Sequence, residues 1–216
     1  MGKINLGILD GFSGKVGTVV GYKRNGKKIM RAYVDKMKNP RTESQMNVRL
    51  RFKVLTELAK GFRTAIKIGL ELTAKSLNHS VSNDFFQKNW GAVRAEGGVA
   101  EVDYGNLKLS DGELPEVGFG SANFEEPLRV SVGFTPNSDA PDADADDMVY
   151  LFVFQPNSMK GVLSAPVQRS TGSIEMALPS TWSGMTVHVY GFAVGAGRSN
   201  SGMRSDGSYV GTGNVG

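Results

Sequence analysis

The 216-residue chain has no cysteine. Disulfide staples, thiolate nucleophiles and thiolate metal sites are therefore excluded, although the compartment is not fixed, since secreted and virion proteins can also lack the residue. Histidine is scarce too. His79 falls in a connection and His188 in a strand-like segment. Neither has a serine, cysteine or metal-ligand partner at a recognisable spacing, so both read as surface or core residues. There is no nucleophile elbow, Walker loop or zinc signature. Gly118-Phe119-Gly120 and Gly195-Ala196-Gly197 lack the strand–helix context of a nucleotide loop. No apolar run approaches the ~20 residues of a membrane span, so membrane insertion is not expected. The opening decapeptide has too short an apolar run for a signal peptide, and Gly2 lacks the Ser or Thr of a myristoylation signal. Synthesis in the cytosol, with the mature chain starting near Met1, is the expectation. No catalytic residue, cofactor or metal is expected, and the chain reads as a non-enzyme.

What the chain does have is a charge split. Residues 1–100 hold 19 Lys and Arg against 7 Asp and Glu, and residues 101–216 hold 6 against 14. The modest net charge of +4 thus hides a basic front and an acidic back. Such asymmetry speaks to partners and association rather than fold. Glycine is abundant, 28 residues, which favours tight turns and short strands. Hydrophobic residues make up 40%, enough for a packed core.

The periodicity divides the chain into an N-terminal arm and β-hairpin (1–40), a helical segment (41–98) and a β-sandwich domain (99–216). In the arm, 16–23 and 28–34 read as strands joined by Arg24-Asn25-Gly26-Lys27, where Asn-Gly suits a type I′ turn. Gly14, Gly17 and Gly21 precede the turn and mark bulges or close backbone approach. In the second segment, Pro40 precedes a Thr42-to-Gln45 capping pattern. Met46, Leu50, Val54, Leu58, Phe62, Ala65 and Ile66 then form an amphipathic stripe, with breaks expected near Gly61 or Gly69. A second helix is expected over 83–95, ended by Gly97-Gly98. In the third segment, 107–110, 128–134, 173–178, 185–194 and 209–211 read as strands. The unbroken apolar run of 148–154 suits a strand buried on both faces. The fold class expected is α+β: a hairpin, a helical segment, then an immunoglobulin-like antiparallel sandwich of about seven strands.

Two charged clusters stand out. Lys23, Arg24, Lys27, Lys28 and Arg31 crowd the hairpin tip, beside Tyr22 and Tyr33. Asp142, Asp144, Asp146 and Asp147 crowd a loop between two strands. The first three space like the leading ligands of a calcium loop. Asp147 then stands where that loop requires Gly, and Val153 where it requires Glu, so a solvated acidic loop is the better reading. The basic tip suits phosphates, but no base-reading motif accompanies it, and an acidic protein surface uses the same residues. Protein contact is favoured over nucleic acid.

Gly11-Phe12-Ser13-Gly14-Lys15-Val16-Gly17-Thr18-Val19-Val20-Gly21-Tyr22 resembles the opening of an uncharacterised domain-of-unknown-function family. That family occurs in gut anaerobic bacteria and their tailed, crAss-like phages. Pro40-Arg41-Thr42-Glu43-Ser44-Gln45, the stretch from Asp103 to Pro115, Trp182, Val187–Phe192 and Ser205-Asp206-Gly207-Ser208-Tyr209-Val210-Gly211 extend the resemblance over nearly the whole chain. The resemblance implies a phage virion structural protein, a ring-forming tail or neck component made in the bacterial cytoplasm. Its partners would be copies of itself and other virion proteins. A +12 segment and a −8 segment in one chain suit the head-to-tail contact of a ring. The hairpin cations and the four aspartates are the expected assembly contacts. The alternatives are a glycan-binding sandwich, with Trp182 and Tyr209 as aromatic platforms, and a basic nucleic-acid-binding protein.

Overall fold

The glycine-spaced, β-branched N-terminal zone builds a four-stranded antiparallel sheet where a lone hairpin was expected. The computed structural model describes residues 2–3, 12–24, 26–36, 39–197 and 200–216. The sheet comprises β1 (Gly2–Lys3), β2 (Gly14–Val16), β3 (Val19–Arg24) and β4 (Lys27–Ala32), in the order β1-β4-β3-β2. Arg24 pairs with Lys27 at the tip, and Gly26 there has a φ of 76°. Asn25, the other half of the expected turn, lies outside the described residues. A Cβ at Gly21 would stand 2.6 Å from the Phe12 ring, so this glycine permits the expected close approach.

The chain divides into two compact units, Met1–Thr42 and Glu43–Gly216. The second opens with helices α1 (Glu43–Gly61), α2 (Arg63–Gly69), α3 (Glu71–Ser76) and α4 (Val81–Asn89). Breaks fall at both Gly61 and Gly69. A Cβ at Gly61 would stand 2.6 Å from the Met159 carbonyl oxygen, so the helix there touches the backbone beyond it. The second helix is displaced from its expected range: Ser80 caps it, accepting from the Asn83 amide at 3.2 Å. It ends six residues early, because the chain then turns into a hairpin, β5 (Val93–Glu96) with β6 (Val99–Val102). Gly97 and Gly98 form its turn at positive φ, so they reverse a strand where they were expected to end a helix.

Eight further strands make the sandwich. They are β7 (Gly118–Asn123), β8 (Arg129–Thr135), β9 (Met148–Gln155), β10 (Lys160–Leu163), β11 (Val167–Gln168), β12 (Ser173–Ala177), β13 (Thr186–Val194) and β14 (Ser208–Asn214). One sheet runs β10-β9-β13-β14, with β11 also paired to β9, and the other runs β12-β8-β7. All their strand pairs are antiparallel. The fold is thus α+β with an antiparallel β-sandwich. Segment 107–110 is not a strand. The Asn89 side chain takes the partner's place there, accepting from the Lys108 amide at 2.7 Å and donating to its carbonyl at 2.9 Å.

The first sheet is covered on both faces. Alternation sends Val149, Leu151 and Val153 of β9, with Val187 and Val189 of β13, toward β8 and β12. It sends Phe152, Phe154, Tyr190 and Phe192 the other way, onto the helices. Phe62 of the α1–α2 junction sits among them, its ring centroid 4.3 Å from Phe154, 5.1 Å from Phe152 and 6.0 Å from Phe85. The helical segment and the sandwich therefore share one core. Lys88 of α4 adds an ion pair to Asp111 at 2.5 Å. Among the described residues no helix is long and apolar enough to cross a membrane.

Phe62→Ala should destabilise the second unit by about 3–5 kcal/mol. Helix loss by far-UV circular dichroism and loss of packing by fluorescence of Trp182 in the sandwich, read in a Trp90→Phe background, should stay coincident in urea, since helices and sheet share a packed face. The Lys88 contact holds the Asp111 carboxyl below the usual carboxylate range. A depressed carboxylate stabilises fully above its unfolded pKa of ~3.9 and loses that contribution as acid protonates it. Asp111→Asn should therefore cost less than about 1 kcal/mol at neutral pH, and the gap from the parent should close below pH ~4 in pH-dependent denaturation.

Candidate functional site

The charged clusters singled out in the sequence lie on different units. Residues 1–42 hold 10 Lys and Arg against 2 Asp and Glu, while 43–216 hold 15 against 19. The arm therefore carries +8 and the second unit −4, although residues 43–100, at 9 against 5, remain basic.

Strand register explains the basic tip. Lys23 pairs with Lys28 and Arg24 with Lys27, so cations oppose cations directly across the hairpin. Such pairs disfavour the isolated sheet. All four, and Arg31, are exposed. Lys15 lies over the Tyr33 ring, 3.5 Å from its centroid. Of the described residues in 12–42 only Gly21 is buried. Val16, Tyr33 and Val34 are exposed apolar groups on this unit.

The acidic loop between β8 and β9 is more ordered than a solvated run of aspartates. Asp142 and Asp146 are exposed, and Asp144 is half-buried. Asp147 is fully buried, which removes it from the set of surface contacts expected from the sequence. Its carboxylate lies 3.2 Å from Arg169 Nε, and it accepts from Asn200 Nδ2 at 2.8 Å, the Asp144 amide at 3.0 Å and the Ala196 amide at 3.2 Å. Arg169, itself buried, donates to the Pro136 and Pro115 carbonyls at 3.0 and 2.8 Å. Burial pulls its guanidinium below the ordinary value, and Asp147 and Asp144 oppose that pull. Asn200 also donates to the Asp142 carbonyl at 2.8 Å. The loop is thus stitched to β11's end and to the segment before β14. Among the described residues no three carboxylate or imidazole groups gather as a metal site.

Trp182 is buried against the sandwich core and is not a surface platform. Tyr209 is half-buried and accessible. Sequence reasoning missed an aromatic patch on the helices. Phe52 is 49% exposed and makes edge contacts with Phe86 and Trp90 at 5.6 and 5.7 Å between centroids. Arg51 lies over Trp90 at 4.1 Å and donates to its carbonyl. The available signal was Phe52 itself, a large aromatic off the helix's apolar stripe. Met46, placed on that stripe, is 48% exposed because the first turns of α1 extend beyond the core.

These features define an α+β protein with a β-sandwich, a separate basic arm and no gathered catalytic group among the described residues singled out above. The chain belongs to DUF6266, a family of unknown function, which it matches over residues 11–211. Among solved structures it is similar to the solution structure of the fn3 domain of the human collagen alpha-1(XX) chain. The identity is 21%, over 49% of this chain and 88% of that one, with a TM-score of 0.32. No curated protein matches the chain.

Removing Asp147 leaves the buried Arg169 charge without its counter-ion. Asp147→Ala should lower stability by about 3–5 kcal/mol in urea denaturation, whereas Asp146→Ala, at an exposed site, should change it by less than about 0.5 kcal/mol.

Proposed function

We propose that this protein is a non-enzymatic assembly component, a ring-forming tail or neck protein of a phage virion. The motif resemblance to proteins of gut anaerobic bacteria and their tailed phages supplies the setting. The observation that carries the reading is the arm: a sheet with one buried described residue and with cations paired against cations at its tip. A two-faced sheet of this kind gains most when an acidic surface covers it. The chain carries such a surface in Asp142, Asp144 and Asp146. Contact between one copy's tip and the next copy's loop is heterologous, and heterologous contacts close into rings or extend into filaments. The charges steer and orient, and the Phe52–Trp90 patch supplies an apolar anchor for a neighbour.

The test is sedimentation velocity on the purified full chain. Concentration-dependent association is expected in low salt, weakening several-fold in high salt as screening shortens the reach of surface charges to within ~10 Å. Lys23→Glu with Lys27→Glu and Lys28→Glu should abolish it, and mixing with an Asp142→Lys, Asp144→Lys, Asp146→Lys chain should restore it. A monomer at every concentration in low salt, or association indifferent to charge reversal, would overturn the reading. Steeply salt-dependent DNA binding without self-association would favour the nucleic-acid alternative.

A further inference from the structure

We propose that the cleft walled by Tyr104, His188 and Tyr209 and rimmed by Arg94, Glu101 and Asp103 binds a neutral saccharide. The fold assembles this cleft from the β5–β6 hairpin with the 3-10 turn Tyr104–Asn106 that follows it, and from the paired strands β13 and β14, distant in sequence. Its volume is 380 Å³, at the lower end of the ~300–1,000 Å³ of small-molecule sites and suited to a single sugar ring or a disaccharide.

The aromatic wall is fixed before any ligand arrives. The Tyr104 ring stacks on His188, with centroids 4.2 Å apart and planes 15° from parallel. Tyr209 Oη lies 2.9 Å from His188 Nδ1. Beneath them the Tyr190 hydroxyl, fully inside the shared core, donates to the Tyr104 carbonyl at 2.8 Å and pins the turn. Preorganisation of this kind lowers the ordering cost of binding.

The rim is polar and available. Arg94 and Glu101 face each other in the hairpin register, both exposed, and neither side chain makes a hydrogen bond or ion pair with another described residue. Asp103 is exposed, and its Oδ2 accepts from Asn106 Nδ2 at 2.7 Å, which orients the carboxylate. Two carboxylates accept, a guanidinium donates, and the phenol and imidazole can do either. That mixture matches vicinal hydroxyls, each of which is both donor and acceptor. The flat C–H face of a pyranose matches the aromatic wall. Charge selects among ligands. Two carboxylates against one guanidinium disfavour phosphates and acidic sugars, and Arg94 disfavours quaternary ammonium groups that Tyr104 and Tyr209 would otherwise attract. Burial pulls His188 below its ordinary pKa, so the imidazole is neutral at physiological pH and adds no charge. The saccharide site shares no residue with the arm or the acidic loop and does not rest on the assembly reading.

The full chain, fluorescently labelled, should be applied to an array of neutral, acidic and amino oligosaccharides, and the neutral ones it retains titrated by calorimetry. Trimethylammonium ligands are titrated in parallel. Retention of neutral glycans is expected, with affinity falling about tenfold or more in Arg94→Ala and in Asp103→Asn, both at exposed positions, while the melting temperature stays put. Tyr209→Phe, which keeps the ring and removes the hydroxyl, should weaken binding less than either. No neutral glycan retained, tighter binding of acidic sugars or trimethylammonium, or neutral binding indifferent to both rim variants would overturn the proposal.

Discussion

The structure depends on one sheet being apolar on both faces. In antiparallel sheets one face commonly meets water, and the strands then alternate polar with apolar. Here β9 and β13 have a two-residue period of a different kind: Val149, Leu151, Val153, Val187 and Val189 on one side, Phe152, Phe154, Tyr190 and Phe192 on the other. The branched aliphatics suit the closely opposed second sheet. The larger rings suit the rougher surface of helices crossing it, and Phe62 fills the gap between those rings. The helices and the β12-β8-β7 sheet pack on opposite faces of the same strands, so both layers draw stability from them.

Burial on both faces brings polar backbone and side chains inside, and the chain answers with side-chain clasps. Asn89 stands in for a strand beside Lys108. Ser205 accepts from the Ala193 amide at 2.8 Å, and Ser164 from the Leu151 amide at 2.9 Å. Arg169 and Asp147 do the same on a larger scale, satisfying loop carbonyls and amides that no strand reaches. An unmet buried polar group costs roughly 1–3 kcal/mol, so each clasp fixes a loop in one arrangement rather than several. The loops around the sandwich are therefore shaped by the core.

How much of this was legible follows from what kind of signal each feature leaves. The 148–154 run announced a strand buried on both faces because an apolar stretch of that length leaves a strand no polar face to turn toward water. The glycine breaks in the helical segment and the basic tip were equally plain. The hairpin at 93–102 was missed, since Phe85, Phe86, Trp90 and Val93 continue a helical spacing that outweighed the stop signal of Gly91 and the turn signal of Gly97-Gly98. Asp147 was grouped with its exposed neighbours because its partner, Arg169, is 22 residues away and unremarkable in sequence. Trp182 and Tyr209 looked alike as aromatic platforms; only tertiary packing buries the first and leaves the second at a cleft. The residues of that cleft come from four segments, and Tyr104 meets His188 across 84 positions, a distance over which spacing carries no information.

The charge pattern also takes on a sharper meaning. A boundary drawn at residue 100 set a basic half against an acidic half. The compact units divide the chain at residue 42, so the densest excess of cations falls in a sheet with little interior, and the second unit is mildly acidic as a whole although its residues 43–100 remain basic. Cations inside a packed domain can be neutralised by their own fold, as Arg169 is. Cations set opposite cations across a hairpin repel one another, and the free energy they cost that sheet falls wherever opposite charge or salt screens them. The side-chain register of β3 and β4 therefore says more about the field at the tip than the net charge does.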